Sequence, residues 1–116
     1  MLVLGLTLGL QAYALPGVSG IPKNYPNPFR PSFEPTTINY TLTEDANTNI
    51  YIYNLARMIG YMESFTAGAN GGRAGENEVS WSGKNLFGHL VANGVYIYFI
   101  VANGSILGRG EISVFE

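Results

Sequence analysis

Any chemistry in this 116-residue chain would have to come from eight carboxylates, one imidazole and scattered hydroxyls, because it contains no cysteine. Two carboxylates held in different environments across one bond could hydrolyse a glycoside. The acids Glu34, Glu44, Asp45, Glu63, Glu76, Glu78, Glu111 and Glu116 fall instead in turns, on polar faces or at the terminus, and no spacing among them sets up such a pair. Glu44 and Asp45, beside asparagine-rich turns, could hold a hard cation, but no D-x-D-x-D-G loop accompanies them. His89 sits in a turn between Gly88 and Leu90, with no second imidazole to build a zinc site. Ser64, Ser80, Ser82 and Ser105 lack a G-x-S-x-G setting, and the glycine-rich stretch 68–75 lacks the G-K-[ST] ending of a phosphate cradle. Trp81 could stack on a sugar ring, with Tyr51, Tyr53, Tyr96 and Tyr98 extending the platform. The competing reading is core packing, because Trp81 shares a strand face with Val79. The pattern predicts no catalytic residue, no metal and no cofactor.

The elements that carry these residues follow from composition. Hydrophobic residues make up 47% and charged residues 12%, which excludes both a disordered chain and a charged helical bundle. Fifteen glycines and six prolines supply turn formers in place of helix formers, as short strands joined by turns require. A net charge of −2 with six Lys and Arg offers no footprint for nucleic acid and no polybasic patch for anionic lipid. The chain is the size of one domain.

Residues 1–22 hold no charged side chain, and the apolar run 1–10 is too short to span a bilayer. Ala12-Tyr13-Ala14 fits the small-x-small cleavage pattern, so residues 1–14 read as a signal peptide, although the positive n-region is missing. A buried strand or fragment end is the alternative. Residues 15–35 form a Pro-rich lead-in kept extended by Pro26, Pro28 and Pro31, with Tyr25 and Phe29 as anchors. Residues 36–116 read as an antiparallel β-sandwich. Thr36 to Leu42 alternates as a half-buried strand, and a β-branched and aromatic strand follows at 49–55. At 57–65 helix and strand compete, and length and Gly60 favour a strand. Residues 67–76 read as the most mobile loop, 77–81 as a short strand, and 95–102 as a central strand buried on both faces. Asn103-Gly104 is a hairpin signal returning into a last strand at 106–115. About seven short strands at roughly ten-residue spacing describe an all-β, immunoglobulin-like sandwich.

The chain also resembles a family. Asn24-Tyr25-Pro26-Asn27-Pro28-Phe29-Arg30-Pro31 followed by Thr36-Thr37-Ile38 is similar to an N-Y-P-N-P-F-N-P opening before a T-T-I strand. Ile52-Tyr53-Asn54 is similar to an I-Y-N strand end, and Trp81-Ser82-Gly83-Lys84-Asn85 with Gly88 to a W-D-G-x-N/D-x-x-G turn. Asn93-Gly94-Val95-Tyr96-Ile97-Tyr98 is similar to a G-V-Y-x-Y strand. Together these resemble the immunoglobulin-like domain of flagellar hook-capping proteins and the C-terminal sorting domains of type IX secretion. Three positions depart from that pattern. Arg57 stands where a glycine is usual, so the turn is expected to be strained or rebuilt around Gly60; Ser82 replaces an aspartate; and Glu111 stands where sorting domains carry a lysine.

The resemblance implies a non-catalytic, exported accessory module at the cell surface or outside the cell, which transits the periplasm. It would dock on secretion or surface-assembly machinery through strand edges and loops. A hook-cap-like assembly domain and a carbohydrate-binding module are the alternatives.

Overall fold

A computed structural model describes residues 15–116, and the stretch expected to be a signal peptide lies outside them. Seven strands run in order: β1 (Val18–Tyr25), β2 (Thr36–Leu42), β3 (Thr48–Asn54), β4 (Ile59–Phe65), β5 (Gly75–Trp81), β6 (Gly94–Ala102) and β7 (Ser105–Val114). They form two antiparallel sheets, β1-β2-β5 and β4-β3-β6-β7, packed face to face as an immunoglobulin-like sandwich without helices among the described residues. The competition at 57–65 resolves as strand β4, paired to β3.

Period-two alternation decides what each strand buries. Ile38, Tyr40 and Leu42 of β2 meet Ile50 and Ile52 of β3 and Tyr96, Tyr98 and Ile100 of β6 in one core. The strand β6 differs from expectation. It is central, between β3 and β7, but only Tyr96, Tyr98, Ile100 and Ala102 are buried, whereas Val95, Ile97, Phe99 and Val101 stay half-buried. Its apolar run on both faces reflects one covered face and one open one, because a two-layer sandwich covers each sheet once.

The lead-in is part of the sandwich. Residues 18–25 pair with β2, and the chain then crosses to the other sheet through two cis bonds, Tyr25–Pro26 and Asn27–Pro28. There Phe29 enters the core and bridges Val114 in parallel, its N–H donating to Ser113 O at 2.9 Å. The Asn27 side chain extends this seam as a substitute strand, donating to Glu111 O at 3.1 Å and accepting from Ser113 N–H at 2.8 Å. Tyr25 anchors differently from Phe29: it is 51% exposed, and its hydroxyl donates to the Glu78 carboxylate at 2.6 Å.

The loop expected to be most mobile, 67–76, is tied down at many points. Asn77, fully buried at its foot, accepts from Gly71 N–H at 2.8 Å and donates to the carbonyls of Arg73 and Gly75 at 2.9 and 3.0 Å. Tyr40 Oη donates to Gly71 O at 2.6 Å, and Asp45 Oδ1 accepts from Ala74 N–H at 2.7 Å. Glycine at position 72 permits this closeness, since a Cβ there would stand 2.5 Å from Ala46 O. The missing apolar bulk is visible in the sequence, whereas the polar staples form only in the closed fold. Asn77→Ala is expected to destabilise the domain by about 3 kcal/mol, because it strands buried backbone groups. It should also raise hydrogen exchange at Gly71 far above that of the β6 amides; unchanged exchange would show that the loop is held by other contacts.

Candidate functional site

The motif residues gather at one end of the sandwich. Trp81, 1% exposed, packs its ring 5.8 Å from both Phe29 and Tyr96. Its Nε1–H donates to Lys84 O at 2.9 Å, which fixes the start of the β5–β6 loop. Gly83 passes beneath Pro31 with φ of 80°, where a Cβ would lie 2.7 Å from the proline ring, so the turn after Trp81 needs glycine. Pro26 O accepts from Thr36 Oγ1 at 2.9 Å, holding the lead-in over the start of β2. Gly88 and Gly94 take φ of 84° and 149° in the β5–β6 loop and at the start of β6. Asn54 ends β3, and its Oδ1 accepts from Met58 N–H at 3.0 Å across the β3–β4 turn. Arg57 in that turn adopts φ of 67°, the left-handed region that favours glycine, and Gly60 lies at the irregularity where β4 shifts register against β3. Both parts of the expectation about this turn therefore appear in the structure.

The titratable side chains are dispersed. Glu78 is held by Tyr25, Glu63 accepts from Tyr61 Oη at 3.1 Å, Glu76 accepts from Asn39 at 2.9 Å, and Glu116 accepts from Ser32. The hydrogen bond from Ser32 draws the Glu116 carboxyl below its ordinary value. His89 is exposed in its loop. Among the described residues no three histidine or carboxylate groups converge as a metal site. Burial pushes the Tyr98 phenol up to about 12 and raises the Tyr61 and Tyr96 phenols as well.

The aromatic platform weighed for sugar stacking is divided by strand alternation. Tyr96 and Tyr98 point into the core beside Trp81, whereas Tyr51 and Tyr53 lie on the outer face of the four-stranded sheet. That outer face is only partly covered. Met62, Tyr51, Phe99 and Arg109 stand opposite one another across β4, β3, β6 and β7. A shallow groove of about 510 Å³ runs beside this row, lined by Tyr53, Leu55, Arg57, Ile97, Phe99 and Arg109. Tyr53 meets Phe99 edge to face at 5.6 Å, and the Arg109 guanidinium lies 5.8 Å from the Phe99 ring centre. The arrangement offers apolar area and two cations for docking. Ile97, Phe99 and Arg109 did not stand out in the sequence, although the apolar run of β6 was the signal that could have found them.

Strand edges are the other docking element. The β7 edge is covered by the segment after β1, where Asn27 and Phe29 bond along residues 111–114, and β1 packs against β7. On the opposite side the Asn70 side-chain amide caps β5, donating to Glu78 O at 2.8 Å and accepting from Glu78 N–H at 3.2 Å. The β4 edge is met near its start, where Leu86 N–H donates to Gly60 O at 3.0 Å. Neither edge has a strand neighbour on its outer side.

No family model matches the chain, and no curated protein is similar to it. Solved structures are similar in fold. PorZ of Porphyromonas gingivalis, described as an essential bacterial surface component of the type IX secretion system, aligns with a TM-score of 0.55 at 21% identity, over 82% of this chain and 11% of its own. Dimeric latent PorU of the same organism aligns with a TM-score of 0.65 at 18% identity, over 88% of this chain and 10% of its own. The chain thus spans about a tenth of each, and at these identities the likeness establishes the sandwich fold.

Proposed function

We propose that the chain is a non-catalytic, exported accessory module that docks on a secretion or surface-assembly machine, as a sorting or surface-attachment domain. The observation that carries this reading is the open outer face of β6, where Ile97 and Phe99 with Tyr53 form an apolar groove beside Arg57 and Arg109. The cross-strand packing of Tyr53 on Phe99 leaves these side chains only half-buried, and the apolar surface that stays open suits a partner. Beyond the Leu86–Gly60 bond, the β4 edge next to this face has no strand neighbour and allows strand addition as a second contact. The likeness to a domain-sized part of PorZ, a surface component of a secretion system, supports the same class of role.

The test is export of a reporter carrying residues 15–116 in a type IX-competent host. The reading expects reporter on the cell surface or in the medium, and loss of that export when Ile97 and Phe99 are both replaced by serine. A reporter retained in the periplasm despite a folded domain would overturn the sorting role.

A further inference from the structure

The end of the sandwich that gathers the motif residues also displays a group of exposed apolar side chains. Leu55 and Met58 project from the β3–β4 turn, and Leu86, Phe87 and Leu90 from the β5–β6 loop, with Phe87 84% exposed. Met58, Leu86 and Phe87 line one hollow of about 320 Å³, so the two loops form a continuous tip. Residues 54–58 and 82–93 contain no acid, but carry Arg57, Lys84 and His89. Glu116, tied to Asn93 through its N–H at 2.9 Å, keeps an ionised carboxylate at the margin of this tip, held by Ser32 and offset by the charge of Arg30.

The backbone of this tip is unusually self-contained. Asn85 N–H donates to His89 O at 2.8 Å, Leu86 N–H to Gly60 O at 3.0 Å, and Gly88 N–H to Asn85 O at 3.0 Å. Phe87 and His89 N–H both donate to Asn85 Oδ1, at 2.9 and 3.0 Å. Every N–H from 85 to 89 therefore has an internal partner, and this loop can leave water without orphaning those donors. It can offer a partner apolar side chains and long cations, but few hydrogen bonds. Protein interfaces use about one hydrogen bond per 100–200 Å². The interface of an anionic bilayer asks for none from the backbone, takes Phe and Leu into its acyl boundary, and attracts flanking Lys and Arg.

We propose that this tip, built from residues 54–58 and 82–93, docks the domain on an anionic lipid surface, with Phe87, Leu86 and Leu90 entering the interface and Arg57 and Lys84 meeting headgroups. The two cations are too few for electrostatic binding alone, so apolar insertion carries the affinity.

The absence of cysteine allows a direct test in the full 116-residue chain. An environment-sensitive dye on Phe87→Cys should shift to the blue on vesicles of equal parts phosphatidylcholine and phosphatidylglycerol. The same dye on Ser105→Cys, in the β6–β7 hairpin at the opposite end, should not shift. In co-sedimentation, Leu86→Ser with Phe87→Ser and Leu90→Ser should lower partition by about a hundredfold or more, since each of the three large side chains is worth roughly tenfold when fully inserted. The thermal midpoint should stay at the parent value. Arg57→Gln with Lys84→Gln should reduce binding to that on phosphatidylcholine alone. Equal partition of the triple-serine variant, or a shift at Ser105→Cys without one at Phe87→Cys, overturns the proposal. So does failure of the parent to bind either vesicle, which would assign the tip to a protein partner.

Discussion

Trp81→Ala is expected to lower the unfolding free energy by about 4 kcal/mol, within the 3–5 kcal/mol typical of emptying a buried tryptophan site. Its indole fills the space between the two sheets at their motif-bearing end, against Phe29, Tyr96 and, at 6.3 Å, Tyr61. Removing it leaves a void that three rings, on β4, on β6 and on the segment between β1 and β2, cannot close together, and leaves Lys84 O without its donor. For a domain of this size each kcal/mol moves the thermal midpoint by about 4–8 °C, so a fall of roughly 20 °C is expected. Unfolding followed by far-UV circular dichroism measures it. Trp81→Phe keeps most of the packing and loses the Nε1–H bond, so it should cost about half as much while loosening the β5–β6 loop selectively. A loss below about 1 kcal/mol for Trp81→Ala would mean that the ring is not a core element, and would return it to the sugar-stacking role that its burial argues against.

The fold was legible because its signals are local. Period-two alternation in β2 and the Asn103-Gly104 dipeptide specify structure within a few residues, and the hairpin has φ of 52° and 75° at those two positions, both positive as a type I′ turn demands. What escaped was non-local. That Val18–Tyr25 would become a strand depended on an edge of β2 left free, which no pattern in the glycine- and proline-containing segment announces. The staples on loop 67–76 are single side chains, Asn77, Asp45 and Asn47, whose partners are fixed only by the closed fold. The docking features were half legible. The sequence shows that β6 is apolar on both faces, but whether the second face is covered depends on how many layers the fold has. Leu86 and Phe87 fall between Asn85 and Gly88 of the turn motif with no pattern of their own, and only their position at a sandwich end makes them an exposed tip.

Gly110→Ala should be nearly as damaging as loss of Trp81, at about 3 kcal/mol or more, by overfilling rather than emptying the core. Gly110 stands opposite Tyr98 in the β6–β7 ladder, and the Tyr98 ring lies across it. A Cβ at this position would fall inside the contact distance of Tyr98 Cζ and Oη and stand 2.5 Å from Cε2. The ring has nowhere to go, since Tyr98 is 0% exposed and β1 closes over the neighbouring Gly108, where a Cβ would lie 3.0 Å from Pro22 Cγ. Two glycines two residues apart weaken a strand intrinsically, so β7 keeps them for the space they leave. Shape rather than hydrogen bonding sets the fit, because Tyr98 Oη has no partner among the described residues. The mechanism makes a second, sharper demand. In a Tyr98→Leu background the obstructing ring is gone, so adding Gly110→Ala should cost at least 1 kcal/mol less than it does in the parent. Urea unfolding of the two single variants and the double variant measures that coupling. Additive losses would show that alanine at 110 acts through the β7 backbone, whereas the expected recovery would identify the Tyr98–Gly110 contact as the reason β7 needs glycine at 110 to pack against β6.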